Sequence, residues 1–448
     1  MSFPRYSSYK DSCVNWLGEV PEHWVVLPCR AIVHERTEKN DGAACEDYLS
    51  LMANVGIIPY AEKGDVGNKK PEDLSKCKIV TRGDLVINSM NYGIGSYGLS
   101  GYDGVCSPVY IVLKPQNDIV ESRFAFRIFE NKAFQTFAQS FGNGILEHRS
   151  AINWDILKSI GIAVPPQAEQ KAILVFLDRE TTKIDDLIAE QQRLIDLLKE
   201  KRQAVISHVV TKGLNPDVTM KDSGVAWLGD VPLGWTVASV RRVIQRIEQG
   251  WSPDCYSRPA EMDEWGVVKS GCVNRGVFVE QENKALPETL DPIPEYEIHN
   301  GDVLMSRASG SPDLVGSAAY ITATRQKLML SDKIFRIHPI NGVNRKFLVA
   351  VFNSRVMRSQ IERAISGADG LANNLPQSSL KGFHLAIPPL EEQKEIVSFL
   401  ECELLKFDSL AEETQQGIDL LQERRAALIS AAVTGKIDVR NVYAKEVA

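Results

Sequence analysis

Residues 164–211 begin VPPQAEQKAILVFLDRETTKID and end LIDLLKEKRQAVISHVVT; residues 387–434 begin IPPLEEQKEIVSFLECELLKFD and end GIDLLQERRAALISAAVT. The two stretches lie 223 residues apart and match along their length, so the chain carries an internal repeat. Pro165-Pro166 and Pro388-Pro389 open them, where proline is tolerated just ahead of a helix. Apolar residues then recur at heptad spacing. In the first copy they are Leu177, Ile184, Leu198 and Val205, joined by Leu187, Ile188, Leu194 and Ile195. In the second they are Leu400, Phe407, Leu421 and Leu428, joined by Leu410. Gln191 and Thr414 fall at matching seam positions, where a polar residue commonly fixes register at some cost in stability. Each helix could pack on its own domain alone. The same seam occurring twice in one chain favours pairing of the two helices with each other. At ~1.5 Å per residue, roughly 44 residues make a rod of about 66 Å.

A second repeat stands upstream of each helix. Residues 11–30 read DSCVNWLGEVPEHWVVLPCR and residues 222–241 read DSGVAWLGDVPLGWTVASVR, identical at eleven of twenty positions. Trp16, Trp24, Trp227 and Trp235 lie beside proline and glycine in these motifs and read as structural anchors. Between head motif and helix lies a body, 31–163 or 242–386, with short Val/Ile segments, glycines and turns, followed by short helical patterns near 122–140 and 344–366. The bodies share little beyond Gly83-Asp84 and Gly301-Asp302.

The expected architecture is α+β: two mixed α/β bodies, each followed by a long coiled-coil helix, with a pseudo-twofold internal repeat. The segments are 1–163, first body with its head motif; 164–215, first long helix; 216–386, second body with its head motif; 387–436, second long helix; and 437–448, a tail. A frame repeated around different contents meets the same partner twice, while the bodies meet different things.

The chain resembles a type I restriction-modification specificity subunit. The resemblance rests on WLGEVPEHW and WLGDVPLGW, on GDLVINS and GDVLMSR within the bodies, on VPPQAEQ and IPPLEEQ, and on the closing runs RQAVISHVVTKG and RAALISAAVTGK. It covers nearly the whole chain. It implies that each body is a target-recognition domain reading one half of a split double-stranded DNA site, and that the two long helices pack antiparallel as a coiled coil, hold the two recognition domains apart and set the number of unread bases between. It implies that each half docks one modification subunit, which methylates adenine using S-adenosylmethionine. It further implies that restriction subunits join to translocate and cleave DNA with ATP and Mg2+. The chain itself then binds no cofactor and has no active site. Two different readers on one rod specify an asymmetric, interrupted site, and half-sites about one helical turn apart face the same side of DNA.

Composition neither demands nor forbids this reading. The formal net charge is -7 and the pI about 5.7, awkward for a protein that must neutralise phosphates. The acids concentrate in the helical segments, as at Glu190, Glu200, Glu391, Glu392, Glu395, Glu412 and Glu413. The eight cysteines form no CxxC pair and read as free thiols. No stretch approaches the ~20 apolar residues of a membrane helix, and MSFPRYSSYKDSC has no signal-peptide core, so a cytoplasmic location is expected.

The sequence carries none of the common catalytic motifs. There is no GxxxxGK[ST], no Asn-Pro-Pro-aromatic motif, no HExxH and no zinc-spaced Cys/His set. Gly93-Ile-Gly95-Ser-Tyr-Gly98 matches GxGxxG, but a turn-rich run follows it instead of a helix, so a loop between strands is the expectation. Glu392-Gln-Lys394 looks nuclease-like but falls on an acidic first helical turn, expected to be solvated surface. A non-DNA coiled-coil adaptor displaying two protein-binding globules is the competing reading, mildly favoured by the acidic pI. A self-sufficient nuclease or methyltransferase lacks its motifs.

Two regions per body are candidates for base contact, being rich in residues that read base edges. One follows each Gly-Asp strand: Asn88, Ser89, Asn91 and Tyr92, and Ser306, Arg307 and Ser309. The other precedes each long helix: Asn143, His148, Arg149 and Ser150, and Asn373, Asn374 and Gln377. Candidate phosphate contacts are Lys69, Lys70, Arg82, Arg275, Lys333, Arg355 and Arg358. Each of these residues equally suits a local turn or an ordinary surface.

Overall fold

Both long helices form where the repeat places them, over Gln167–Lys212 and Leu390–Val433. Each stops at a glycine with positive φ, Gly213 at 78° and Gly435 at 71°, the left-handed conformation that ends helices without a Cβ penalty. The computed structural model describes residues 3–67, 69–141, 151–365 and 373–442, with the Arg275 side chain left aside.

The Glu-Gln pair after each double proline ties the helix start to its body. Glu169 is 6% exposed, and its carboxylate accepts from the Trp24 indole at 3.0 Å and the Tyr6 hydroxyl at 2.5 Å. In the second half the Trp235 indole donates to Glu392 at 3.0 Å. Gln170 donates to the Ile119 and Pro165 carbonyls and accepts from the Glu121 N–H. Gln393 repeats all three bonds, donating to Gly342 and Pro388 and accepting from Asn344. The nuclease-like Glu392-Gln-Lys394 is therefore a structural clamp rather than solvated surface: only Lys394 faces water, paired with Glu391 at 2.7 Å.

The seam keeps one of its two expected rows. Leu177, Ile184, Leu400 and Phe407 are buried, and Leu198, Val205, Leu421 and Leu428 half-buried. Leu187, Leu194 and Leu410 are corrected: they are 52%, 42% and 47% exposed. The second seam row runs four residues after the first, through Thr181, Ile188, Ile195, Arg202 and Val209, and through Leu404, Ala411, Ile418, Arg425 and Ala432. Sequence offers adjacent apolar residues at 187–188 and 194–195, and either satisfies a 3–4 spacing; contact with the partner decides between them. Gln191 is half-buried and Thr414 is 8% exposed.

Two compact units result, one of Met1–Gln192 with Gln416–Ala448, the other of Arg193–Gln415. Each body takes half of each long helix into its own unit, whereas the repeat sets the helices apart as segments. In the first unit Arg425 Nε donates to Asp185 at 2.8 Å; in the second Arg202 Nε lies 3.6 Å from Asp408. The start of one helix thus runs beside the end of the other, and the helices are antiparallel.

The bodies, so different in sequence, share one topology in the central sheet. In the first, Val33–Glu35, Tyr110–Pro115, Leu85–Asn88 and Tyr97–Leu99 form an antiparallel sheet in that order. In the second the order is Ile244–Gln249, Ile334–Pro339, Val303–Ser306 and Ala318–Tyr320. The shared Gly-Asp turn explains itself. Gly83 and Gly301 have φ of 91° and 92°, and the aspartates accept the backbone N–H three residues earlier, from Thr81 at 2.8 Å and His299 at 3.0 Å. Each turn feeds a fully buried strand. The helical patterns near 122–140 and 344–366 appear as Ser122–Glu130, Lys132–Ser140, Arg345–Phe352 and Arg355–Ala364.

The head motifs frame each body from outside. Val25–Pro28 pairs antiparallel with Gly161–Val164, and Thr236–Ser239 with His384–Ile387, so each head is stitched to the strand that runs into a long helix. Trp24 and Trp235 are buried anchors as expected; Trp16 donates to the Gly161 carbonyl at 2.9 Å, and Trp227 is 40% exposed beneath Arg363.

Gln170→Ala or Gln393→Ala strips three bonds from buried groups and is expected to cost about 2–4 kcal/mol, read as a lowered urea midpoint. Leu187→Glu and Leu410→Glu are expected to change stability by less than about 0.5 kcal/mol, whereas Ile195→Glu or Ile418→Glu costs more than about 3 kcal/mol. Equal midpoints for the two sets would refute this seam.

Candidate nucleic-acid interface

The two candidate regions of the second body, some 65 residues apart in sequence, meet in space. Ala308–Ser309 pairs antiparallel with Asn373–Asn374, and the Leu375 N–H donates to the Arg307 carbonyl at 2.9 Å. The first body repeats the contact at the same place, where the Ile152 N–H donates to the Ser89 carbonyl at 3.1 Å. In each body the segment after the Gly-Asp strand and the segment before the long helix therefore form one surface.

The central sheet pair ends at this surface. Asn88 opposes Tyr110 in the first body, and Ser306 opposes Ile334 in the second. One step further out stand Ser89 with Val109, and Arg307 with Lys333. The Ser89 hydroxyl donates to the Val109 carbonyl at 3.4 Å, and the Arg307 N–H donates to the Lys333 carbonyl at 2.8 Å. The same corner is thus neutral in one body and cationic in the other.

Side chains at the second corner are organised. Arg307 Nη1 donates to the Asp332 carbonyl at 3.1 Å. The Lys333 ammonium sits 2.9 Å from the Asp332 carboxylate. Burial alone would raise the Asp332 carboxyl, but hydrogen bonds from Ser252 and Lys333 outweigh it and hold it below its ordinary value. Neither Ser252 nor Asp332 has a sequence signal, since they meet at the Arg307 corner only through strand register. Asn373 Nδ2 reaches the Gly310 carbonyl at 3.5 Å, Ser309 Oγ accepts from the Ser311 N–H, and Gln377 donates to Ile247 at 3.2 Å. All four residues from Ser309, Asn373, Asn374 and Gln377 are half-buried.

Several candidates belong to the interior instead. Tyr92 is a core residue, and its hydroxyl donates to the Phe129 carbonyl at 2.6 Å, because a 3-10 turn folds it inward. Asn88 is 8% exposed and accepts from the Met90 N–H at 3.1 Å, a local turn bond. Ser306 is fully buried at the end of its strand. Ser89 and Asn91 remain half-buried at the surface. Asn143, His148, Arg149 and Ser150 lie outside the described residues. The GxGxxG stretch is a turn leading into the strand Tyr97–Leu99, so it lacks the helix a dinucleotide site needs.

Among the phosphate candidates, Lys69, Lys70, Arg82, Lys333 and Arg355 are exposed. Arg358 is corrected: its guanidinium donates to the Asp313 and Val315 carbonyls, at 3.2 and 2.6 Å, and burial lowers its pKa. It holds the 312–315 turn. The Arg275 side chain is outside the described set. Among the described residues no group of three or more His, Cys, Asp or Glu is placed to hold a metal ion, and no helix is long and apolar enough to cross a membrane.

Comparison with known proteins gives the family and the fold. A family model described as the type I restriction modification DNA specificity domain matches twice, over residues 45–197 and 261–418. The specificity subunit of the type I restriction enzyme EcoEI from Escherichia coli is 35% identical over 184 residues, 40% of this chain and 31% of that relative's length. The MjaVIII specificity subunit from Methanocaldococcus jannaschii is 23% identical over 434 residues, covering 94% of this chain and 95% of the relative. A chain from a structural study of complex assembly and conformational transition in the type I R-M system shares the fold. It has a TM-score of 0.66 and 15% identity, with 92% of this chain and 98% of that chain covered. With a matching domain in each half, a shared frame and a shared fold, the chain belongs to the type I restriction-modification DNA specificity family.

Proposed function

We propose that this chain reads the two halves of an asymmetric, interrupted DNA site, one half with each body, and that its paired long helices set the unread spacer. The observation that carries the reading is the recurrence of one sheet topology with a chemically different corner in each copy. A scaffold that places a Ser–Val pair in one body where it places an Arg–Lys pair in the other suits two readers of different sequence. The repeated frame, down to the paired Trp–Glu and Gln bonds, suits two copies of one partner, the modification subunit. In this reading the chain has no active site. Adenine methylation with S-adenosylmethionine, and translocation and cleavage with ATP and Mg2+, belong to the modification and restriction subunits.

The overall negative charge is compatible with DNA binding because it is unevenly placed: acids concentrate on the long helices, as at Glu190, Glu200, Glu412 and Glu413. Along the long helices acids pair with lysines three residues away, as in Glu180–Lys183, Asp196–Lys199, Glu391–Lys394 and Glu403–Lys406. Sequence-neutral affinity then comes from exposed cations on the bodies, such as Lys69, Lys70, Arg82 and Arg355.

The test is a genome-wide map of methylated adenines in a methylation-free host expressing the chain with its modification subunit. A two-part motif with a fixed spacer is expected; an assembled complex that methylates nothing would favour the adaptor reading. Replacing residues 242–386 by another family member's second body is expected to change one half-site only. Deleting one heptad from both long helices is expected to alter the spacer while leaving both half-sites intact, and an unchanged spacer would exclude the helices as its determinant.

A further inference from the structure

We propose that the Arg307–Lys333 corner is the base-reading element of the second body and that Arg307 takes a guanine edge in the major groove. The inference rests on the DNA-reading function proposed above and names the base that one element of it selects.

Three observations carry it. The first is position. Arg307 stands one step beyond the last paired residue of the central strands, where the two candidate segments converge, and its backbone bonds to both Lys333 and Leu375. It is therefore held from two sides by the main chain.

The second is the state of the guanidinium. One N–H is donated to the Asp332 carbonyl; Nε and Nη2 have no hydrogen-bond partner among the described residues. A half-buried arginine anchored by one nitrogen keeps a two-donor edge for a planar acceptor pair. Guanine presents two acceptors, O6 and N7, on its major-groove edge, and arginine matches them with two parallel bonds. Adenine offers a donor at one of these positions, and the thymine and cytosine edges offer no such acceptor pair. Lys333 adds a second cation beside it, while the Asp332 carboxylate, 2.9 Å from the Lys333 ammonium, keeps that ammonium in place.

The third is the contrast with the first body. There the same corner is Ser89 and Val109: the serine hydroxyl donates to the backbone, Val109 is 59% exposed and the following Met90 is 48% exposed. That corner has no two-donor edge to offer guanine. The arginine is consequently a feature of one reader and not of the shared frame, as a specificity determinant must be. A structural role common to the fold would have left a cation in both copies.

The alternative for Arg307 is a phosphate contact, which carries no sequence information. The experiment separates the two. The methylated motif of the unaltered complex is mapped first; absence of any two-part motif there overturns the DNA-reading function itself. With the motif in hand, the full complex carrying Arg307→Ala or Arg307→Gln is mapped and its binding measured on duplexes changed one base at a time. The expected result is a motif unchanged in the first body's half-site and relaxed at a single guanine in the second. Arg307→Ala is expected to lose about ten- to a hundredfold of discrimination at that base. Arg307→Gln keeps a donor for the Asp332 carbonyl, guarding against misfolding, and is expected to shift preference at that position toward adenine, whose N6 and N7 suit an amide. The proposal is overturned if methylation or affinity falls evenly over all sequences with the motif intact, or if the relaxed base is not a guanine.

Discussion

Everything in this chain hangs on how a long helix is fastened where it leaves its body. A buried carboxylate, Glu169, gathers the Trp24 indole and the Tyr6 hydroxyl, and Glu392 takes the Trp235 indole in the second half. A carboxylate removed from water must be hydrogen-bonded, and an indole N–H in a core needs an acceptor. Each satisfies the other, so head motif and helix start are fixed together. The glutamine that follows closes the remaining backbone groups on the far side. Gln170 and Gln393 each bridge the double-proline turn to the segment ahead of the first body helix, with the same three partners in both copies. The Trp–Glu and Gln bonds recur in both halves because these groups leave little freedom: losing one member strands another in the interior.

The bodies obey a different constraint. Their sheets need buried strands and a tight turn before the central one, and Gly-Asp supplies the turn twice. Beyond that the interior accepts many apolar sequences of suitable volume. The corner past the last ladder pair is free of both demands, since its main chain is satisfied by the neighbouring segments and its side chains face outward. It is there that Ser89 and Val109 are exchanged for Arg307 and Lys333. The frame and strands hold the fold, and the residues at the corner differ between the two copies without disturbing them.

How far the site was legible follows from the range of the signals. The Gly-Asp strand and the run before each long helix were recognisable from local composition, and they do converge. Which of their residues face outward was not. Tyr92 and Asn88 look like surface polar residues in sequence, yet a 3-10 turn carries one into the core and a local turn bond holds the other. Arg358 looks like a free cation, yet two carbonyls of a turn more than forty residues upstream claim it. Asp332 and Ser252, which organise the Arg307 corner, have no sequence signature, because their proximity depends on pairing between strands distant in the chain. The family itself was legible from the repeated motifs, and the domain matches agree with it.

By itself, the sequence determined the twofold repeat, both long helices to within a few residues, their tendency to pair and the anchoring role of the buried tryptophans. These follow from periodicity, proline placement and self-similarity, which act over a few turns of chain or are visible by comparing the chain with itself. Tertiary structure decided the rest. It chose Ile188, Ile195 and Ile418 for the seam over Leu187, Leu194 and Leu410, gave two dissimilar bodies one sheet order, and placed Arg307 beside Lys333. Each of those outcomes is a choice among locally equivalent options. Only contacts between segments far apart in the chain, which remove one option from water and leave the other in it, can make the choice.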